Sequence, residues 1–335
     1  MTDHGPSKPH HLGRQAAIWI LKIAVSTVLL YLVLRRNFGP TVIAARNASI
    51  PWLLAALAVF FVQILVSAWR WGLLVHAQGI AMPFGALLNS YLVATFFNNF
   101  LPSNIGGDVI RIRDSARRAG STTIAATVVL FDRGIGLLGL GFVAATGATV
   151  AAWISPTMGP IGPGVLWVGL AAVVAIAGWA ILVPQGVVRL LSPARRLHPE
   201  WFDERLERLY AALARFRQSP AALGGGFCGS LSVQVLLVMF YAAIARGLHM
   251  EVPVWHLAIV VPLSFVVLML PISVNGLGLR EATFVLYLTR LGVPAASATA
   301  LSLTSYGLIA LFSTSGAIAY LIRPAAARRP QTSVG

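Results

Sequence analysis

Eight apolar runs follow one another along the chain, at roughly 16–34, 52–75, 84–101, 122–151, 163–183, 221–248, 253–271 and 295–322. Each is close to the ~20 residues that carry a helix across a bilayer. A chain of 335 residues cannot hide that much apolar length in a water-soluble core, so hydrocarbon is the solvent it requires. Composition agrees: 57% of residues are hydrophobic and 10% charged, where soluble domains carry about 25% charged. These runs predict an all-α polytopic membrane protein. Trp19, Trp52, Trp69, Trp71, Trp153, Trp167 and Trp255 fall mostly near run ends, where aromatic belts sit. The first run reads as a retained helix rather than a cleaved leader. It is too long, it contains Lys22, and Arg35-Arg36 follow it instead of a small-residue cleavage site.

Two runs end abnormally. The third ends in Phe96-Phe97-Asn98-Asn99-Phe100-Leu101-Pro102-Ser103-Asn104-Ile105-Gly106-Gly107-Asp108. The seventh ends in Leu270-Pro271-Ile272-Ser273-Val274-Asn275-Gly276-Leu277-Gly278-Leu279-Arg280-Glu281. Each reads Leu-Pro, then Ser, Asn, two glycines and a charged residue. Proline removes a backbone donor and glycine opens left-handed turns, so each run breaks. Broken backbone at membrane depth survives only inside protein or beside a watery cavity.

Charge sets the threading. The chain carries 25 Lys+Arg against 10 Asp+Glu, a net +15. On a soluble chain this balance would suggest nucleic acid; here it reads as cytoplasmic loops meeting anionic headgroups, and no nucleic-acid partner is expected. The basic segments are 111–118, 184–217, the N-terminus with Lys8 and Arg14, and the C-terminal tail with Arg323, Arg328 and Arg329. All four fall on the cytoplasmic side if runs three and seven enter, break and return; Arg35, Arg36 and Arg46 stand against this scheme. The expected architecture is six full spans plus two re-entrant hairpins in two inverted halves, about 15–160 and 161–322. They form one membrane domain, 15–322, between a polar tail, 1–14, and a basic tail, 323–335. The expected location is the inner (cytoplasmic) membrane, with both termini cytoplasmic. Between the halves, in 199–218, Phe202, Leu206, Leu209, Leu213 and Phe216 share a helical face. That helix either lies on the cytoplasmic membrane surface or is a solvated connector with a Glu204–Arg208 pair.

Ionisable groups inside a bilayer cost about 2.5–3.5 kcal/mol each on insertion scales, which makes them functional candidates. Asp132-Arg133 lie within the fourth run. Neighbours on a helix diverge, so each needs another partner, and Asp108, Arg111, Arg280 and Glu281 at the two breaks are the available ones. The candidate headgroup cavity therefore comprises Asn98, Asn99, Pro102, Asn104, Gly106, Gly107, Asp108, Arg111, Asp132, Arg133, Pro271, Ser273, Asn275, Gly276, Gly278, Arg280 and Glu281. Its arginines would hold an anionic headgroup, or the same charges would pin the hairpins to the bundle. Asparagine can recognise a headgroup or satisfy freed backbone. Gly134-Ile135-Gly136-Leu137-Leu138-Gly139 fits a dinucleotide fingerprint, but it lies inside an apolar helix and reads as close helix packing. There is no P-loop, H-E-x-x-H or C-x-x-C, His4, His10 and His11 lack a completing cluster, and Cys228 is the only cysteine. No metal, cofactor, disulfide or catalytic residue is expected.

Phe96 to Arg113, Phe131-Asp132-Arg133-Gly134-Ile135-Gly136-Leu137 and Leu270 to Glu281, in this order, resemble the lysylphosphatidylglycerol synthase transmembrane-region family over about Ala16 to Ile322. The resemblance implies a membrane-embedded lipid handler, a translocase or flippase moving passively or coupled to an ion. In the two-domain multiple peptide resistance factors of that family, a soluble half makes aminoacylated phosphatidylglycerol and the membrane half moves it between leaflets. This chain ends at Gly335 without a soluble synthase, so aminoacyl transfer is not expected of it. Relatives in hopanoid and polyprenyl-glycosyl pathways imply the other reading, a membrane component or partner of a lipid-modifying enzyme. The implied partners are membrane lipids, anionic phospholipid first, and a soluble synthase or glycosyltransferase.

Overall fold

The computed structural model describes residues 38–100, 106–154, 162–191, 199–269 and 276–323, with isolated positions 24, 27, 28, 31, 32 and 35 before them; the side chains at 184, 188, 191 and 199–204 are not described. The first apolar run thus lies almost wholly outside the described residues, as do Pro102, Asn104, Pro271, Ser273 and Asn275.

Among the described residues the regular elements are helical. They are α1 (Phe38–Arg46), α2 (Ile50–Ala77), α3 (Phe84–Phe100), α4 (Gly106–Ala119), α5 (Thr122–Ile154), α6 (Pro163–Leu182), α7 (Pro184–Leu191), α8 (Pro199–Arg217), α9 (Pro220–Gly247), α10 (Val254–Leu268), α11 (Leu279–Leu288) and α12 (Ala295–Ile322), with a 3-10 turn at Thr289–Leu291. Five of them, α2, α5, α6, α9 and α12, are long and apolar enough to cross a membrane. The 28 residues of α2 and of α9 give about 42 Å of helix each, against a hydrocarbon layer of ~30 Å. The chain is an all-α, multi-pass membrane protein.

The helices between α2 and α5, and between α9 and α12, are too short to cross alone. The 17 residues of α3 reach about 26 Å and the 14 of α4 about 21 Å; the 15 of α10 and 10 of α11 reach less. Each pair returns to the end of the bundle where it began. Arg118, near the end of α4, donates to the carbonyl of Ala81, just before α3, at 3.2 Å. His256, near the start of α10, is 3.2 Å from the Tyr287 hydroxyl near the end of α11. The two hairpins open at opposite ends. The first opens where α2 ends, beside α8: Gln78 donates to the Ala212 carbonyl at 3.0 Å and Arg215 to the Gln78 carbonyl at 3.0 Å. The second opens where α2 begins: the Ser49 amide donates to the Gly247 carbonyl at 2.8 Å, and Thr41 donates to the carbonyl of Ala296 at 3.3 Å.

The chain is therefore a repeat. α2 and α9 both have Pro in the first turn and are offset by 170 positions (220 less 50), as are α3 and α10 (254 less 84). After each interruption the offset is 173, for α4 and α11 (279 less 106) and for α5 and α12 (295 less 122). The backbone repeats too. Gly79 (φ 74°) and His249 (φ 56°) both leave their helix in left-handed geometry, and the amides of Ile80 and Met250 close the same turn onto Val75 and Ala245. α2 packs on α9 at the centre, while α3 packs on α12 and α10 on α5, so the halves interlock.

Two hydrophobic clusters fill the bundle. One joins Phe60, Phe240, Tyr241, Ile244, Leu257, Phe284 and Leu301 from both halves; the other surrounds Trp71, Leu74, Leu87, Val128 and Phe216. Trp71 is thus a core residue with no exposed surface, not a belt residue, whereas Trp153 is 90% exposed. Helix α8 turns part of its apolar face to the bundle: Leu206, Leu213 and Phe216 are buried, and Phe216 stacks on Phe131 at 4.4 Å. The Gly134–Gly139 stretch is packing: a Cβ at Gly139 would collide with Ser230 of α9, whose hydroxyl reaches the Gly136 carbonyl at 3.5 Å.

Candidate functional site

The first hairpin is pinned before it carries any charge. The Asn98 side-chain oxygen accepts the Gly107 amide at 2.8 Å, capping the first turn of α4 from α3. Only glycine fits at 107, because a Cβ would meet the Ala94 carbonyl oxygen and the Asn98 amide group. Asn99 instead donates to its own helix, to the Thr95 carbonyl at 3.0 Å. Gly106 begins α4.

With α4 held against α3, its charged face meets α5. Arg111 donates to Asp132 Oδ2 at 2.6 Å, and Arg70 of α2 donates to Oδ1 at 2.9 Å, so one carboxylate is clamped by two guanidiniums. Asp132 is 1% exposed, Arg70 and Arg111 5% each. Arg133, next along α5, points elsewhere and donates to Asp108 Oδ2, while Asp108 Oδ1 lies 3.7 Å from Arg111. Arg111 also lies over two rings, 4.6 Å from the Trp71 centroid and 5.0 Å from Tyr91. Among the described residues the cluster holds three guanidiniums, of Arg70, Arg111 and Arg133, and two carboxylates. Arg133 is its most open member, with 36% of its side chain exposed.

The second hairpin carries a different cluster. Gly276 (φ 71°) and Gly278 (φ 81°) turn the chain into α11 with backbone that L side chains rarely adopt. Glu281, at the third helical position, folds back to accept the Gly278 amide at 2.7 Å. That brings its other oxygen to Arg280 at 3.1 Å and to the Ser302 hydroxyl of α12 at 3.0 Å. Ser302 also accepts from Arg280 at 3.1 Å, and Arg280 lies 4.8 Å from the Tyr306 ring centroid. Glu281 has no exposed surface.

Two expectations are corrected here. Arg280 and Glu281 are not partners of Asp132-Arg133, because they pair with each other and with α12; the charges form two clusters, not one. Sequence neighbours also do meet at Arg280–Glu281, since the carboxylate bends toward the helix start instead of outward. The expected divergence holds at Asp132-Arg133. Arg70, Ser302 and Tyr306 are additions. Arg70 had a signal, being the one charged residue in the run 52–75; hydroxyl and aromatic residues in apolar runs carry none.

The repeat shows where the halves differ. Trp71 and Tyr241 share the 170 offset, and Arg111 and Phe284 the 173 offset. The Arg111–Trp71 contact of the first half is replaced in the second by Phe284 stacked on Tyr241 at 5.3 Å. Asp132 corresponds to Ser305. One half keeps a charged centre where the other keeps an aromatic one.

A helical membrane protein with two opposed, glycine-interrupted hairpins, each holding buried ion pairs, is the class these features define. Within it, the chain belongs to the family described as lysylphosphatidylglycerol synthase TM region, whose pattern matches residues 19–316. Membership makes it a membrane protein concerned with lipid. No curated protein matches the chain.

Proposed function

We propose that the protein is a lipid translocase for an anionic phospholipid, working in the inner membrane with its basic end cytoplasmic. The observation that carries this reading is the pair of hairpins opening at opposite ends, each interrupted by glycine and lined with buried charge. Interrupted segments at matching positions of two inverted halves are where transporters bind substrate. Ionised groups at this depth are costly and are kept for a purpose. Arg133 is the side chain of the first cluster best placed to meet a phosphate. Asp108, Arg111, Asp132 and Arg70 hold it in place. Asn98, Asn99, Gly106 and Gly107 shape the first hairpin, and Gly276, Gly278, Arg280 and Glu281 the second. Pro102, Asn104, Pro271, Ser273 and Asn275 belong to the proposed site by their sequence positions, outside the described residues.

The test uses proteoliposomes containing fluorescent phosphatidylglycerol, with leaflet position read by a membrane-impermeant quencher. Wild-type protein is expected to exchange the label faster than protein-free vesicles. Arg133→Ala is expected to slow exchange on the order of tenfold or more in protein that still folds, since Asp108 keeps Arg111 at 3.7 Å. Folded wild-type protein that exchanges no lipid would sink the reading.

A further inference from the structure

At the end of the bundle where the first hairpin opens, α3, α4 and α12 enclose a cleft of ≈ 570 Å³. This is within the size range of ligand sites. Its polar wall is Asn89, Asp114, Arg117, Arg118 and Arg323; its apolar wall is Met82, Ala86, Ala319 and Ile322. The cleft lies where the apolar spans α2 and α12 both finish, the level of lipid headgroups.

Its charges are arranged, not merely numerous. Among the described residues Asp114 is the only carboxylate in the wall, and it is already engaged on both oxygens, by Arg113 at 3.2 Å and Arg323 at 2.9 Å. Arg323 is held again by Asn89 at 2.6 Å, which ties α12 to α3. Arg117 and Arg118 sit on the last turn of α4, and Arg118 is exposed. Beside them Ile322 is 76% exposed, an apolar edge continuous with the lipid-facing side of α12. A positive wall at headgroup level joined to an apolar wall facing hydrocarbon complements one molecule in both respects, an anionic amphiphile.

We propose that this cleft is a docking site for an anionic phospholipid, with the phosphate on Arg117 and Arg118 and the acyl chains along Ala319 and Ile322. Binding here does not require that the lipid be moved, and it involves none of the residues of the two buried clusters.

The experiment is native mass spectrometry of the full chain in detergent, titrated with phosphatidylglycerol, phosphatidylcholine and soluble glycerophosphoglycerol. Phosphatidylglycerol is expected to bind most tightly. Arg117→Gln with Arg118→Gln is expected to weaken it on the order of tenfold and leave phosphatidylcholine unchanged. The charge-matched control Arg205→Gln with Arg217→Gln, on α8, is expected to change neither. Equal weakening by the control would reduce the effect to diffuse surface charge and overturn the site. Binding of the soluble headgroup as tight as that of the lipid would overturn a lipid occupant in favour of a free phosphodiester. If the double variant does not fold, Ala319→Trp, which fills the cleft without touching charge, is expected to cost the same affinity; undiminished binding in that variant overturns the proposal. Flipping is measured separately, so a protein that binds the lipid here and never moves it contradicts the translocase reading alone.

Discussion

At the scale of single residues, Asp132 decides most. One carboxylate is shared by Arg70 and Arg111 in a place almost closed to solvent. Removing one partner of a buried pair costs about 3–5 kcal/mol, because the charge left behind keeps its desolvation penalty. Asp132→Ala is therefore expected to lower stability by about that amount, read as a drop in melting temperature in detergent. Replacing the whole triad by Arg70→Met, Asp132→Leu and Arg111→Met is expected to recover most of it, since no ion then remains unpaired. A recovered fold with lost lipid exchange would tie the triad to function; a triple variant as unstable as Asp132→Ala would show that these charges hold the fold. Asp132, Asp108 and Arg111 were legible in the sequence as charges in or beside apolar runs. Their pairing was not. Arg70 and Asp132 are 62 positions apart and meet because α2 and α5 pack directly on each other. The same blindness put Trp71 in the aromatic belt: nothing in its neighbourhood says that it faces Arg111 instead of the interface.

At the scale of elements, the hairpins were legible because proline and glycine act locally. A Leu-Pro step followed by two glycines ends a helix whatever surrounds it. What holds each hairpin in place is tertiary and escaped the sequence: Asn98 on Gly107 across the first, and Ser302 of α12 on the Glu281 carboxylate of the second, which a local cap on Gly278 has already oriented. Gly107→Ala would force a methyl group against the Ala94 carbonyl and the Asn98 amide. Overpacking of this kind costs about 1–3 kcal/mol, and here it also opens the α3–α4 contact that delivers Arg111 to Asp132. The variant is expected to melt earlier and to lose protease protection between α3 and α4, while Gly134→Ala, whose added methyl meets nothing, stays within ~0.5 kcal/mol of wild type. Helix α8 makes the converse point. Its heptad-like apolar face was plain in the sequence, but periodicity cannot name what the face covers. Phe216 covers Phe131, and Phe216→Ala is expected to cost about 3–5 kcal/mol and to speed proteolysis within Pro199–Arg217.

At the scale of the whole molecule, the two halves have the same order of helices but hairpins that open at opposite ends, and this follows from an odd number of crossings between matching elements. The basic residues sort accordingly. Arg118, Arg208, Arg215 and Arg323 gather where the first hairpin opens, joined through Ala81, Ser121, Gln78 and Asp114. Arg46, Arg246 and Arg290 lie at the other end, Arg246 over Trp52. By the positive-inside rule the crowded end is the one expected to face the cytoplasm. Surface cysteines test this directly. Cys228 is exposed and is first changed to Ser; Arg217→Cys then marks the crowded end and Glu251→Cys, between α9 and α10, the opposite one. In inside-out vesicles a membrane-impermeant maleimide is expected to label the cysteine at 217 and to spare that at 251, and intact cells are expected to give the reverse. Labelling of both from one side would mean that α9 does not carry the chain from one face of the membrane to the other. The second hairpin would then open beside the first, and two hairpins on one side cannot hand a headgroup from leaflet to leaflet.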